Sequence, residues 1–148
     1  MSIAQRVTLI TLGVADMARA RTFYEALGWR LHARSTEGLA LYQLNGLALS
    51  LFERGALARD QGRAEARLGT GAMTLAQNLS TEAEVDAAFE AALAAGAEAL
   101  KAPEKVFWGG YSGYFADPDG HVWELAHNPF WPLSEDGTLT LPEPDHAD

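Results

Sequence analysis

Gly109 to Asn128 reads GGYSGYFADPDGHVWELAHN, and this stretch decides the fold. Asp117-Pro118-Asp119-Gly120 is a turn: Pro118 presets the φ that a turn's second position needs, and Gly120 accepts a positive φ that other residues resist. Aromatic and β-branched residues flank it, with Tyr111, Tyr114 and Phe115 before and Val122 and Trp123 after. The spacing predicts a hairpin of strands Tyr111 to Ala116 and His121 to Ala126, with one acid, Glu124, on the second strand.

Working outward, the same order of elements appears twice. Arg6 to Val14 alternates like a strand, and Asp16 is placed to cap a helix. Ala20, Phe23, Tyr24 and Leu27 then share one helical face, and Gly28 stands where the helix should stop. Strands are expected over Trp29 to Arg34, Leu39 to Leu44 and Leu47 to Phe52, with Asn45-Gly46 as a tight turn between the last two. In the second half Ala72 to Leu79 reads as a strand, and Thr81 with Glu84 matches a capping box. Val85, Ala88, Phe89 and Ala92 mark the next helical face, Gly96 ends it, and a strand over Ala97 to Lys101 precedes the hairpin. Each half is therefore β-α-β-β-β.

The expected organisation is one α+β domain: module one over about 6–53, a linker with a short helix over 54–69, module two over about 70–127, and an extended arm over 128–148 that frays past Leu141. A single such module leaves one sheet face uncovered. Two side by side make a curved sheet whose concave face suits a small ligand.

Bulk properties narrow the partners. The 148 residues carry a net charge of −9, which argues against a nucleic-acid partner and favours neutral or cationic ligands. Cysteine is absent, so neither disulfides nor thiolate chemistry enter. No apolar run is long enough to span a bilayer, and the start MSIAQRVTL lacks the pattern of a signal peptide, so a cytoplasmic protein is expected. Neither a phosphate-binding glycine loop nor a nucleophile elbow occurs.

Leu12-Gly13-Val14-Ala15-Asp16 followed by Phe23-Tyr24-Glu25-Ala26-Leu27-Gly28-Trp29 resembles the opening of the vicinal oxygen chelate superfamily, which includes glyoxalase I, bleomycin-resistance proteins and extradiol dioxygenases. Phe115-Ala116-Asp117-Pro118-Asp119-Gly120-His121-Val122-Trp123-Glu124-Leu125 is similar to its closing motif. The resemblance implies paired βαβββ modules and, in the metal-using members, one divalent metal held on the concave face by two ligands from each module. Those positions fall at Leu9, Ser50, Thr74 and Glu124. Leu9 cannot donate, and neutral hydroxyls are poor ligands for Zn²⁺, Ni²⁺ or Fe²⁺. No cofactor is therefore expected, and a divalent metal only through an atypical site. His121 and His127 have the wrong parity to join Glu124, His32 is isolated, and His146 lies in the tail.

The residues expected to contact a ligand are Thr11, Ser50, Phe52, Thr74, Trp108, Tyr111, Tyr114 and Glu124, with Tyr42 a weaker choice and Phe115 and Trp123 assigned to the core. Glu124 would act as a general base or anchor a cation. Trp108 rides on Gly109-Gly110, read as a mobile hinge that lets the ring stack on a planar or cationic ligand. Phe130-Trp131-Pro132-Leu133 either closes over the protein's own pocket or packs on a second subunit; the sequence does not choose. The expected function is metal-free binding of a small aromatic or cationic molecule by a homodimer, as in the bleomycin-resistance branch. The alternative is a lyase, isomerase or dioxygenase of the glyoxalase type using Glu124.

Overall fold

A computed structural model describes residues 2–144. The elements run β1 (Leu9–Val14), α1 (Met17–Ala26), β2 (Leu39–Gln43), β3 (Ala48–Glu53), α2 (Arg54–Asp60), β4 (Thr74–Asn78), α3 (Glu82–Ala94), β5 (Glu98–Lys105), β6 (Tyr111–Ala116) and β7 (Val122–His127). Their ladders form two sheets, ordered β1-β3-β2 and β4-β7-β6-β5. In each module the first strand pairs in parallel with the last, β1 with β3 and β4 with β7, and the remaining pairs are antiparallel. The paired-module α+β fold is thus as the sequence implies.

Local chemistry explains the elements. Asp16 accepts a hydrogen bond from the Arg19 amide at 3.1 Å and starts α1, and Gly28 ends it with φ +95°. Thr81 accepts from the Glu84 amide at 3.0 Å, while the Glu84 carboxylate reaches back to the Ser80 amide at 2.9 Å. The short linker helix α2 is capped by Glu53, whose carboxylate accepts from the amides of Gly55 and Ala56 and is held below its ordinary pKa range by those bonds.

One expected strand does not form. Trp29 to Arg34 leaves the sheet after a single backbone bond, His32 N–H to the Leu41 carbonyl at 2.8 Å. Two side chains divert it. Trp29 turns inward against Tyr24, Tyr42 and Trp123, with ring centroids 5.3, 6.0 and 5.8 Å away. His32 Nδ1 accepts from the Arg34 amide at 3.0 Å and bends the chain into a turn. In the other direction, β5 runs to Lys105, four residues beyond its expected end, by bulging around Pro103 at the sheet edge.

The core lies between the helices and the sheet faces they cover. Leu12, Val14, Phe23, Tyr24, Leu49, Leu51, Val85, Phe89, Phe115, Trp123 and Leu125 form one continuous cluster spanning both modules. Phe115 and Trp123 stack at 6.3 Å with an interplanar angle of 4°, as core residues. Tyr42 is also core; its hydroxyl donates to Glu25 at 3.3 Å. The arm does not simply extend: Leu133 bridges Leu139 across a turn at Gly137, and Asn45 donates to the Asp136 carbonyl at 2.6 Å. His146 and the last residues of the arm lie outside the described residues.

Candidate functional site

The two modules superpose in register through their helix caps and parallel pairs. Thr11 pairs with Ser50 in β1-β3, and Ala76 pairs with Glu124 in β4-β7. Thr11 stands five residues before the cap Asp16, as Ala76 stands before the cap Thr81. Ser50 is therefore the counterpart of Glu124, and Leu9 that of Thr74. Strand alternation puts Thr11, Ser50, Phe52, Thr74, Tyr114 and Glu124 on the sheet faces opposite α1 and α3, because their neighbours Leu12, Leu49, Leu51, Phe115, Trp123 and Leu125 fill the core.

Within that face, two pairs form. The hydroxyls of Thr11 and Ser50 lie 2.6 Å apart, and Ser50 is fully buried. Glu124 sits directly across from Tyr114 in the β6-β7 ladder. Burial, then the Glu124 carboxylate, push the Tyr114 phenol above its ordinary pKa, so a neutral O–H stands beside the acid. Phe52 is half-buried and Thr74 exposed.

Two residues sit elsewhere than their expected roles require. Tyr111 shares the helix-side face with Phe115, and its hydroxyl donates to Asp86 of α3 at 2.6 Å; period-2 alternation separates it from Tyr114. Trp108 is not on a free hinge: a Cβ on Gly110 would lie 1.8 Å from its ring, and one on Gly109 would lie 2.9 Å from Phe130. The two glycines are seats for these rings. Phe107, Trp108, Phe130 and Trp131 remain exposed beside one another at this end of the β5-β6 hairpin.

The closing motif has a structural task that the sequence reading missed. Asp117 is buried; its carboxylate accepts from the amides of Asp119 and His121 and from the Tyr24 hydroxyl at 2.5 Å. Tyr24 in turn accepts from Trp123 Nε1 at 3.0 Å. Asp119 Oδ1 accepts from the Ala15 amide at 2.8 Å, from Arg19 at 3.1 Å and from Arg54 at 3.5 Å. His121 Nε2 donates to the Gly13 carbonyl at 2.7 Å. The opening and closing motifs thus meet as one joint between modules. Their separation of about a hundred residues hides this from any local reading.

A cavity of about 350 Å³ opens beside this joint, bounded by β1, α2, the 61–73 segment and β7. Its wall includes Thr11, Arg54, Arg63, Arg67 and His121, with Leu57 and Met73 as apolar surface. Of the expected ligand residues, only Thr11 lines it. The arginines fall in the stretch read as a linker, where the sequence reading gave them no role.

The residues at the superfamily's ligand positions do not fit a divalent metal. Leu9 has no donor, Ser50 is buried against Thr11, and Thr74 offers a neutral hydroxyl. Among the described residues, no three His, Cys, Asp or Glu side chains gather in a metal-holding group. His127 Nδ1 instead donates to the Leu79 carbonyl at 3.1 Å.

A family model described as the Glyoxalase/Bleomycin resistance protein/Dioxygenase superfamily matches residues 6–125. The chain belongs to this superfamily. A glyoxalase-related enzyme from Fulvimarina pelagi is 38% identical, with a TM-score of 0.87 over 95% of this chain and all of that one. A glyoxalase/bleomycin resistance protein/dioxygenase from Nocardioides is 28% identical, with a TM-score of 0.69 and 85% of each chain covered. Lactoylglutathione lyase from Agrobacterium tumefaciens, at 20% identity and a TM-score of 0.66 over 89% of this chain and all of that one, shares the fold. No curated protein matches the chain. Among the described residues no helix is long and apolar enough to cross a membrane.

Proposed function

We propose that this superfamily member is a metal-free binding protein for a small aromatic or cationic molecule, in the manner of the bleomycin-resistance branch. One observation carries the reading: of the four superfamily ligand positions, Leu9, Ser50, Thr74 and Glu124, only the last is an acid. Glu124 is half-buried beside the neutral Tyr114 hydroxyl, where a carboxylate can pair with a cationic ligand. Phe52, half-buried on the corresponding face of module one, is an apolar surface suited to a flat ring.

The reading includes a homodimer, since that branch binds its ligand in grooves between two subunits. The adjacent exposed rings Phe107, Trp108, Phe130 and Trp131 support it as a surface for a second copy.

Metal content of the untagged protein, purified without chelator, is the deciding measurement, with melting curves taken with and without Ni²⁺, Zn²⁺, Mn²⁺ and Fe²⁺. Near-zero metal and unchanged melting are expected. Stoichiometric metal, or a metal-dependent rise in melting temperature, would overturn the reading and favour the glyoxalase-type lyase or dioxygenase alternative. Titration with planar aromatic cations, followed by tryptophan quenching, should show saturable binding that Glu124→Gln weakens about tenfold, the scale of one lost charge-assisted hydrogen bond. Equal affinity in that variant would remove Glu124 from the site.

A further inference from the structure

We infer that the cavity at the joint between modules is a second binding site, for a small organic anion carrying a carboxylate or phosphate on an apolar body. The inference does not rest on Glu124, which does not line this cavity; of the residues expected to contact a ligand, the two share Thr11 alone.

The charge in this cavity runs against the rest of the chain. The protein as a whole is strongly acidic, at −9, with only 11 Lys and Arg. Three of those, Arg54, Arg63 and Arg67, stand in one wall of about 350 Å³ together with His121, and no Asp or Glu lines it. Arg54 reaches a single oxygen of Asp119, at 3.5 Å, which it shares with Arg19. Among the described residues the Arg63 side chain bonds only to the neutral amide oxygen of Gln61, at 3.1 and 2.8 Å. Arg67 has no hydrogen bond or ion pair among the described residues. Arg63 and Arg67, two guanidinium groups on one cavity with no carboxylate partner among the described residues, are suited to a carboxylate or phosphate, which such groups bind in a bidentate way.

His121 is fixed in the wall: a carbonyl can only accept, so the 2.7 Å contact to Gly13 puts a hydrogen on Nε2 and anchors the ring. Thr11, Thr70 and Gln61 add neutral polar groups to the wall. The apolar remainder, Leu57, Leu68, Met73 and Val122, is what a bare inorganic ion would not use. The volume is at the small end of the range for ligand sites, and a single-ring molecule fits within it.

The test is calorimetric titration of the full chain with benzoate, phenyl phosphate, inorganic phosphate and benzylamine. Benzoate or phenyl phosphate should bind saturably, more tightly than inorganic phosphate, and more weakly as salt is raised. Arg63→Gln and Arg67→Gln should each weaken binding about tenfold, the scale of one charge-assisted contact. Both residues are exposed, so a melting curve should show both variants folded. Glu124→Gln should leave this binding unchanged, which separates it from the concave-face site. Four results would overturn the inference: no anion binding at millimolar concentration, equal binding of benzylamine, inorganic phosphate binding as tightly as the organic anions, or full affinity in both arginine variants.

Discussion

Tyr24 shows how a single side chain can join two halves of a protein. It donates to the buried Asp117 carboxylate and accepts from Trp123 Nε1. Tyr24→Phe leaves both partners short of a bond in a dry site, and should destabilise the fold by about 1–3 kcal/mol in urea denaturation. A loss well below that range would mean that water replaces the hydroxyl. Burial, then the Asp117 carboxylate, push the Tyr24 phenol far above its ordinary 10.0. The folded state therefore holds this proton more tightly than the unfolded chain does. The associated stability is complete below pH 10.0 and is lost as the pH rises beyond it. Stability of the parent protein should fall more steeply above that pH than that of Tyr24→Phe, by about 1.4 kcal/mol per pH unit for one proton. Parallel curves would show that Tyr24 ionises equally in both states. Glu124 was readable from the sequence as the surviving acid. The link from Tyr24 to Asp117 was not, since the two are 93 positions apart.

The helices were legible because their signals are local. The apolar spacing, the caps Asp16 and Thr81 and the stop glycines all lie within a few turns of chain. Asp16→Ala and Thr81→Ala should each cost about 1 kcal/mol of stability by removing a cap bond. Thermal melts check this, and no change in either variant would show that water caps that helix equally well. Strands were legible only where partners agree. Trp29 to Arg34 carries a plausible strand pattern, yet the aromatic contacts of Trp29 outcompete further ladder bonds. Edge strand β5 bulges around Pro103, and Gly113 opposite it has no room for a side chain: a Cβ would meet the Pro103 nitrogen at 2.8 Å and the Lys101 carbonyl at 2.9 Å. Both contacts are backbone, so Gly113→Ala should cost about 1–3 kcal/mol through strain. An unchanged melting temperature would mean that β5 shifts freely at the sheet edge.

At the scale of the whole molecule, the assembly of modules decides what each surface faces. The proposed dimer puts Phe107, Trp108, Phe130 and Trp131 against a second copy. Sedimentation of the parent protein should then give a dimer, and Phe107→Ser with Trp131→Ser should shift it to monomer with the fold intact. A monomeric parent protein would free this patch from that role. What the sequence by itself determined is the repeat, the helix faces, the tight turns and the chemistry missing at Leu9, Ser50 and Thr74. These depend on residue type and short spacing, which a linear chain displays. Only the tertiary structure decided that Tyr111 turns to Asp86 while Tyr114 stands by Glu124, that Trp108 rests on Gly110, and that a stretch read as linker lines a cationic cavity. The physical reason is that the direction of a side chain, its burial and its hydrogen-bond partner are set by how strands, helices and loops pack, and residue type and short spacing do not display that packing.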